Sequence, residues 1–138
     1  MLPEIPSPGP GARPCCLLVE DQVLVALSLE AFLDESGWAV AGPLSTRADA
    51  LLWLKDRRPD LAIVDFELRD GICTPLLMEL KARGVPFIIY SGHRPSAESL
   101  PPEVRDAVWL EKPTARQALL RAVEAVTADP RRAYALPR

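Results

Sequence analysis

Five side chains that could do chemistry stand at the ends of short apolar runs in this sequence. Glu20 and Asp21 follow one run, Asp65 follows a second, Ser91 closes a third, and Lys112 comes directly after a fourth. Ligands of an open parallel sheet bind outside the carboxyl ends of its strands. If the runs are strands of one such sheet, three carboxylates, a hydroxyl and an amine meet at one edge.

The three carboxylates indicate a metal site. Acids at one edge repel each other and raise one another's pKa unless a cation lies between them. No histidine or cysteine stands among them, which favours Mg²⁺, an ion that accepts one or two carboxylates together with water and a phosphate oxygen. The lysine and the serine hydroxyl could then bind the oxygens of a phosphoryl group. Asp65 could attack its phosphorus and form an aspartyl phosphate.

Apolar runs alternate with segments of helical length, and this alternation predicts how the site is built. Predicted strands cover 15–20, 38–43, 61–65, 86–91 and 107–111, and predicted helices cover 22–36, 47–58, 75–84 and 115–129. Thr46 with Asp49, and Thr114 with Gln117, resemble capping boxes at two helix starts. Continuous apolar strands between helices indicate an α/β fold with a parallel sheet covered on both faces.

Prolines mark the boundaries of this pattern. Five of the 15 prolines lie within residues 1–14, which predicts a disordered proline-rich tail before a domain at 15–129. Residues 130–138 form a predicted C-terminal tail. Between the last two strands, prolines 95, 101 and 102 forbid a full helix, so 93–106 is predicted to be a loop with at most one or two helical turns.

Composition excludes several classes of function. The 138 residues suit one domain, and a net charge of −3 is unlike that of a protein that binds nucleic acid through its phosphates. The longest apolar stretch, 23–33, is shorter than the ~20 residues that span a bilayer, and the first residues lack a signal-peptide pattern. The chain is therefore predicted to be cytoplasmic, with no nucleic-acid or membrane partner.

Four motifs, in this order at four predicted strand ends, resemble those of the receiver domain of bacterial response regulators: Leu-Leu-Val-Glu20-Asp21, Ile-Val-Asp65, Tyr-Ser91-Gly92 and Glu-Lys112-Pro113. The resemblance covers about residues 15–129. It implies a flavodoxin-like fold, which is a doubly wound five-stranded parallel sheet of order 2-1-3-4-5. An irregular region would replace the usual fourth helix.

The resemblance also implies a role for each site residue. Asp65 would accept a phosphoryl group from a histidine kinase, and Ser91 and Lys112 would bind the phosphoryl oxygens. The implied Mg²⁺ ligands are Asp21, Asp65, Glu20 through a metal-bound water, and the backbone carbonyl of Glu67. Ser91 would also act in the switch together with Trp109, which stands three residues before the lysine.

With these roles the chain resembles a single-domain response regulator. It would signal by phosphorylation-dependent partner binding, or act as a relay or sink for phosphate, and it would not turn over a separate substrate as an enzyme does. The expected partners are a histidine kinase and a downstream or phosphotransfer protein, with a homodimer left open. Lys112 is expected to be exposed at the sheet edge, so its replacement should leave the fold nearly intact.

Three features depart from the common receiver pattern. Arg69 stands where many receivers have proline, His93 follows the Ser-Gly pair, and prolines break the fourth helix. Together with Phe87 and Gly92, which fit the pattern Phe-x-x-x-(Thr/Ser)-Gly, they resemble a stand-alone receiver subgroup of alphaproteobacteria.

Two alternative functions remain open at this point. Glu20 with Asp65-x-Glu67 also resembles a Toprim-like site, in which paired acids hold metal for phosphodiester chemistry. The second alternative is a degenerate receiver that acts as a constitutive binding module.

Overall fold

The computed structural model describes residues 13–92, 96, 98 and 100–128. The strands are β1 (Cys15–Val19), β2 (Ala39–Leu44), β3 (Leu61–Val64), β4 (Glu67–Leu68), β5 (Gly71–Ile72), β6 (Phe87–Ser91) and β7 (Val108–Glu111). The α-helices are α1 (Val23–Glu35), α2 (Arg47–Leu54), α3 (Thr74–Ala82) and α4 (Arg116–Ala128), and a 3₁₀ helix covers Pro102–Val104.

Five of these strands form one parallel sheet in the order β2-β1-β3-β6-β7. Without the short strands β4 and β5, which pair only with each other, this is the predicted order 2-1-3-4-5. The fold prediction is therefore confirmed. The chain leaves β1 first for β2 and then returns to β3 on the other side, so the strand order reverses at β1. That reversal opens a crevice at the carboxyl ends of β1 and β3, where ligands of such sheets bind.

The core has two halves because successive residues of a strand point to opposite faces of the sheet. In β1, Leu17 and Val19 pack with the side of the sheet that α2 and α3 cover. Cys16 and Leu18 pack with the side that α1 and α4 cover. These four of the five β1 residues are fully buried, so both faces of the sheet hold the strand in place.

A neighbouring side chain fixes the start of α2, and a contact with a residue far along the chain fixes its end. The predicted cap at Thr46 is confirmed, because its hydroxyl accepts a hydrogen bond from the Asp49 N–H at 3.0 Å. Helix α2 ends at Leu54 and not at residue 58 as predicted. The Arg83 guanidinium donates to the Leu54 carbonyl at 2.5 Å, and the following Pro59 disfavours helical backbone at residue 58.

The predicted cap at Thr114 is wrong. Helix α4 begins at Arg116, and the Thr114 hydroxyl instead donates a hydrogen bond to the carbonyl of Glu111. The hydroxyl therefore holds the turn between β7 and α4, and the helix starts later than the capping box indicated.

A short hairpin after Asp65 had no counterpart in the sequence prediction. Strands β4 and β5 pair antiparallel, with Arg69 and Asp70 between them. Gly71 has a φ of +127°, a backbone conformation that residues other than glycine rarely adopt. The local turn signals in the sequence are Asp70 and Gly71.

The hairpin is joined to the start of α2. The Asp70 carboxylate accepts hydrogen bonds from the N–H groups of Arg47 at 2.8 Å and Ala48 at 3.0 Å. The Arg47 guanidinium in turn donates to the Ile72 carbonyl at 2.8 Å. The N–H donors of α2 lower the pKa of Asp70. Asp70 thus serves as a second cap for a helix that lies earlier in the chain.

The region between β6 and β7 is described in part. Leu100 and Val104 are buried in the half of the core that α2 and α3 cover, and Val104 is the last residue of the 3₁₀ helix, which precedes β7. His93, with residues 94, 95, 97 and 99, lies outside the described residues, as do most of the predicted tail 1–14 and all of 130–138. No helix in the described part of the chain is long and apolar enough to cross a membrane.

Candidate functional site

One pocket at the carboxyl edge of the sheet brings together most of the predicted site residues. The pocket has a volume of about 410 Å³. Its lining residues are Asp21, Gln22, Asp65, Glu67, Leu68, Ser91, Gly92 and Lys112. The lining holds four of the five residues that the sequence placed at the strand ends, and the fifth, Glu20, lies beside the pocket with its carboxylate against Lys112.

The acids are brought together by the pairing of β1 with its two neighbours. Backbone pairing continues beyond β1, because the Glu20 N–H donates to the Leu44 carbonyl and the Asp65 N–H donates to the Val19 carbonyl. Glu20, Asp21 and Asp65 each offer a carboxylate oxygen within 4.8 Å of the other two. Glu20 is 3% exposed and Asp65 is 6% exposed.

Lys112 supplies the cation that these acids need. Its Nζ lies 2.9 Å from Glu20 Oε1, 3.2 Å from Asp65 Oδ2 and 3.2 Å from Gln22 Oε1. The prediction of an exposed lysine is wrong, since the side chain is only 13% exposed. The Lys112 N–H donates to the Ser91 carbonyl at 2.8 Å, which extends the β6–β7 pairing and directs the lysine over the strand ends.

Burial and the neighbouring charges shift the pKa values of Glu20 and Lys112. Burial raises the pKa of Glu20 from 4.5 to about 7; the charge of Asp65 adds to the rise, and the contacts with Lys112 and Gln22 oppose it. Burial alone would lower the pKa of Lys112, but the contact with Glu20 and the charge of Asp65 outweigh it, and the pKa is raised. The lysine is therefore fully charged near neutral pH.

The donor set fits a hard divalent cation. All three clustered side chains offer carboxylate oxygens, and oxygen ligands are the ones Mg²⁺ prefers. Glu20 Oε1 is buried against the Lys112 ammonium at 2.9 Å, and it keeps a lone pair for a further ligand. The Glu67 side chain is exposed at the rim, and its N–H lies 3.4 Å from Asp65 Oδ1.

The two predicted switch residues lie on neighbouring strands. Ser91 is 2% exposed at the end of β6 and lines the pocket. Trp109 is half-buried on β7, and its ring lies against the ring of Phe66, the residue after Asp65. The structure thus places Ser91 in the pocket and Trp109 behind it.

Sequence reasoning missed Gln22. It follows the acid pair directly, at the N-cap of α1, and its N–H donates to Glu20 Oε2 at 3.0 Å. Only its position next to Glu20 and Asp21 could have indicated that it belongs to the site. Its contact with Lys112 joins residues 90 positions apart, and no local pattern reports such a contact.

The chain is similar to known proteins over most of its length. Residues 16–124 match the response regulator receiver domain. The solution structure of SdrG from Sphingomonas melonis Fr1 is 35% identical, with a TM-score of 0.70, and the match covers 83% of this chain and 96% of SdrG. The BeF3-activated conformation of SdrG is also 35% identical, with a TM-score of 0.67, over 82% of this chain and 95% of that one.

Curated relatives match with lower coverage. The transcriptional regulatory protein PdtaR of Mycobacterium tuberculosis is 29% identical over 78% of this chain and 54% of its own length. The phyllosphere-induced regulator PhyR of Methylorubrum extorquens is 38% identical over 40% of this chain and 21% of its own length. The match thus covers about half of the length of PdtaR and about a fifth of the length of PhyR. With the receiver model matched over nearly the whole described region, this chain belongs to the response regulator receiver family.

Proposed function

We propose that this chain is a phosphorylation-controlled signalling protein in which Asp65 accepts a phosphoryl group from a histidine kinase. Receiver domains are signalling domains that bind Mg²⁺ at an acidic site and interact with histidine kinases and downstream partners. The observation that supports the proposal here is the cluster of Glu20, Asp21 and Asp65 around the Lys112 ammonium. A phosphoryl group brings further negative charge. This pocket can balance that charge with the Lys112 ammonium and with a metal ion held by the three acids.

The site residues then divide three tasks, which are attack on phosphorus, binding of the phosphoryl oxygens and binding of the metal. An oxygen of Asp65 forms a bond to phosphorus while the bond from phosphorus to the donor nitrogen breaks. Lys112 and the Ser91 hydroxyl donate to the phosphoryl oxygens. The residues that would hold Mg²⁺ are Asp21, Asp65, Glu20 through a water and Glu67 through its carbonyl. When bound, the ion neutralises charge that develops on the phosphoryl oxygens.

The two alternatives have different standing. A Toprim-like phosphodiester enzyme is disfavoured by the family match and by the position of Glu67, whose side chain lies at the rim and outside the acid cluster. A degenerate receiver that binds constitutively keeps the same fold and family. The phosphorylation experiment below decides between it and the proposal.

The face on which the kinase would dock is apolar and lies beside the pocket. On α1, Val23, Leu24 and Leu27 are 69%, 81% and 54% exposed. Val23 and Leu27 line a neighbouring groove of about 250 Å³ together with Asp21 and Pro43. Exposed apolar side chains grouped at the entrance of a site mark an interaction surface. A protein that delivers a phosphoryl group to Asp65 has to cover this rim.

Phosphorylation of Asp65 can be tested directly. The protein is treated with acetyl phosphate and Mg²⁺, and intact mass is compared between wild type, Asp65→Asn and Asp56→Asn. Asp56 is an exposed acid after α2 and serves as the matched control. We expect one phosphoryl group on wild type and on Asp56→Asn and none on Asp65→Asn. Labelling of Asp65→Asn, or labelling of wild type in excess EDTA, would contradict the proposal.

Docking on α1 is tested separately from the chemistry. Leu24→Ser should slow phosphorylation by a panel of autophosphorylated histidine kinases and leave labelling by acetyl phosphate unchanged. Leu52→Ser is the control, because Leu52 is 62% exposed on α2, on the opposite face of the sheet. If both variants accept phosphate from every kinase at the wild-type rate, the assignment of the α1 face is wrong.

A further inference from the structure

Gln22 occupies a helix-capping position without capping the helix. It is the N-cap residue of α1, and its backbone carbonyl accepts the first helical hydrogen bond, from the Ala26 N–H at 2.9 Å. Side chains at this position usually accept from the next helical N–H groups. The Gln22 side chain makes no such hydrogen bond, and its Oε1 instead accepts from Lys112 Nζ at 3.2 Å.

The Lys112 ammonium has three donors, and three acceptors surround it. They are Glu20 Oε1, Asp65 Oδ2 and Gln22 Oε1. In the proposed function, Glu20 and Asp65 take other partners when the metal and the phosphoryl group enter. Gln22 is the one acceptor that this chemistry leaves with the lysine.

The contact uses a neutral group. The acid cluster already holds three carboxylates, and a further one beside Lys112 would repel an incoming phosphoryl group. An amide carbonyl accepts from the ammonium without adding charge. The Gln22 backbone is fixed by its N–H, which donates to Glu20 Oε2 at 3.0 Å, and by the first turn of α1. The amide therefore starts from a defined position.

We propose that Gln22 is a positioning residue for phosphorylation, because its side-chain carbonyl holds the Lys112 ammonium toward Asp65. The inference rests on the proposed function of Asp65 and Lys112. In the transfer from acetyl phosphate, an Asp65 oxygen bonds to phosphorus, and the bond from phosphorus to the acetate oxygen breaks with its electron pair on acetate. No proton leaves Lys112, which donates hydrogen bonds to the phosphoryl oxygens throughout.

The first test compares rates of phosphorylation by acetyl phosphate at saturating Mg²⁺. Gln22→Met, which keeps the length and loses the acceptor, should be about fivefold slower, the loss expected for one hydrogen bond. Gln22→Asn, which keeps the amide and is one methylene shorter, should be slowed as much. Ser28→Ala, on an exposed position of the same helix, should keep the wild-type rate, and no variant should unfold at a lower temperature than wild type.

The second test asks whether Gln22 acts through the lysine. The affinity for the phosphoryl mimic beryllofluoride is measured by ¹⁹F NMR in wild type, Gln22→Met, Lys112→Met and the double variant. We expect Gln22→Met to weaken binding about fivefold in the wild-type background and not at all in the Lys112→Met background. Equal loss in both backgrounds, or a wild-type rate and affinity in Gln22→Met, would overturn the inference.

The proposed function and the role of Gln22 are contradicted by different results. If Asp65→Asn is still labelled by acetyl phosphate, the proposed function fails. If labelling requires Asp65 and Gln22→Met behaves as wild type in both tests, the inference on Gln22 fails alone.

Discussion

Phe66 and Trp109 lie ring against ring, with centroids 5.1 Å apart and planes inclined by 48°. Phe66 follows Asp65 on the loop after β3, and Trp109 belongs to β7, three residues before Lys112. A residue next to Asp65 in sequence is thus in contact with a residue close to Lys112 in sequence. A structural change at Asp65 can therefore reach β7, the edge strand of the sheet, through the contact between these two rings.

Trp109 should report activation. Beryllofluoride with Mg²⁺ should change the fluorescence of a Trp38→Phe, Trp53→Phe variant, in which Trp109 is the single remaining tryptophan. The reason is its contact with Phe66, which moves if the Asp65 loop adjusts to the phosphoryl mimic. The control adds Asp65→Asn, which should show no change. An unchanged spectrum at saturating mimic would remove Trp109 from the switch.

Lys112→Ala should destabilise the protein in EDTA. The lysine is 13% exposed and pairs with two buried carboxylates, so its removal leaves them without a cation. We expect a loss of about 1–3 kcal/mol in the free energy of unfolding at pH 8, measured with urea. Added Mg²⁺ should restore part of it. Lys55→Ala, which removes an exposed lysine outside the pocket, measures the cost of losing a surface lysine. Equal stability of wild type and Lys112→Ala in EDTA would contradict the buried ion pairs.

Glu20 should make the metal-free protein less stable as pH rises. Its pKa in the folded state is about 7, above the ordinary 4.5, so between these values the folded protein binds more protons than the unfolded chain. The contribution of Glu20 to stability is therefore full below about pH 4.5 and is lost as pH rises through about 7. Lys112 remains charged in this range.

The measurement is the difference in unfolding free energy between wild type and Glu20→Gln at several pH values in EDTA. The glutamine variant should gain stability relative to wild type from pH 5 to pH 8. Mg²⁺ should stabilise wild type at pH 8 and should have less effect on the variant. A difference that does not depend on pH would show that Glu20 has an ordinary pKa.

Asp70→Ala should loosen the start of α2. Its carboxylate accepts from the N–H groups of Arg47 and Ala48, and the alanine variant leaves both donors to water. Hydrogen exchange of these amides should become faster, while amides in β6 keep their protection. Asp49→Ala is the comparison, since Asp49 also lies in the first turn of α2 and its side chain makes neither contact. Unchanged exchange at residues 47 and 48 in Asp70→Ala would refute the cap.

The sequence was sufficient for features that repeat or lie close together along the chain. The apolar runs predicted the five sheet strands, and the acids after β1 and β3 and the lysine after β7 predicted one site, because parallel strands share an edge. The burial of Lys112, the role of Asp70 and the contact of Gln22 depend on residues 22 to 90 positions away. The end of α2 likewise depends on Arg83, which is 29 positions later.

The cap that Asp70 provides also bears on the order in which the chain can acquire its structure. During synthesis α2 leaves the ribosome before the hairpin. The carboxylate that accepts from the Ala48 N–H is made 22 residues later. A fragment that ends at β3 would carry α2 with only the Thr46 hydroxyl at its start. The start of α2 is therefore fully capped only after the segment that carries Asp65 and Asp70 has been made, which couples the first half of the fold to the strand end that carries the candidate site.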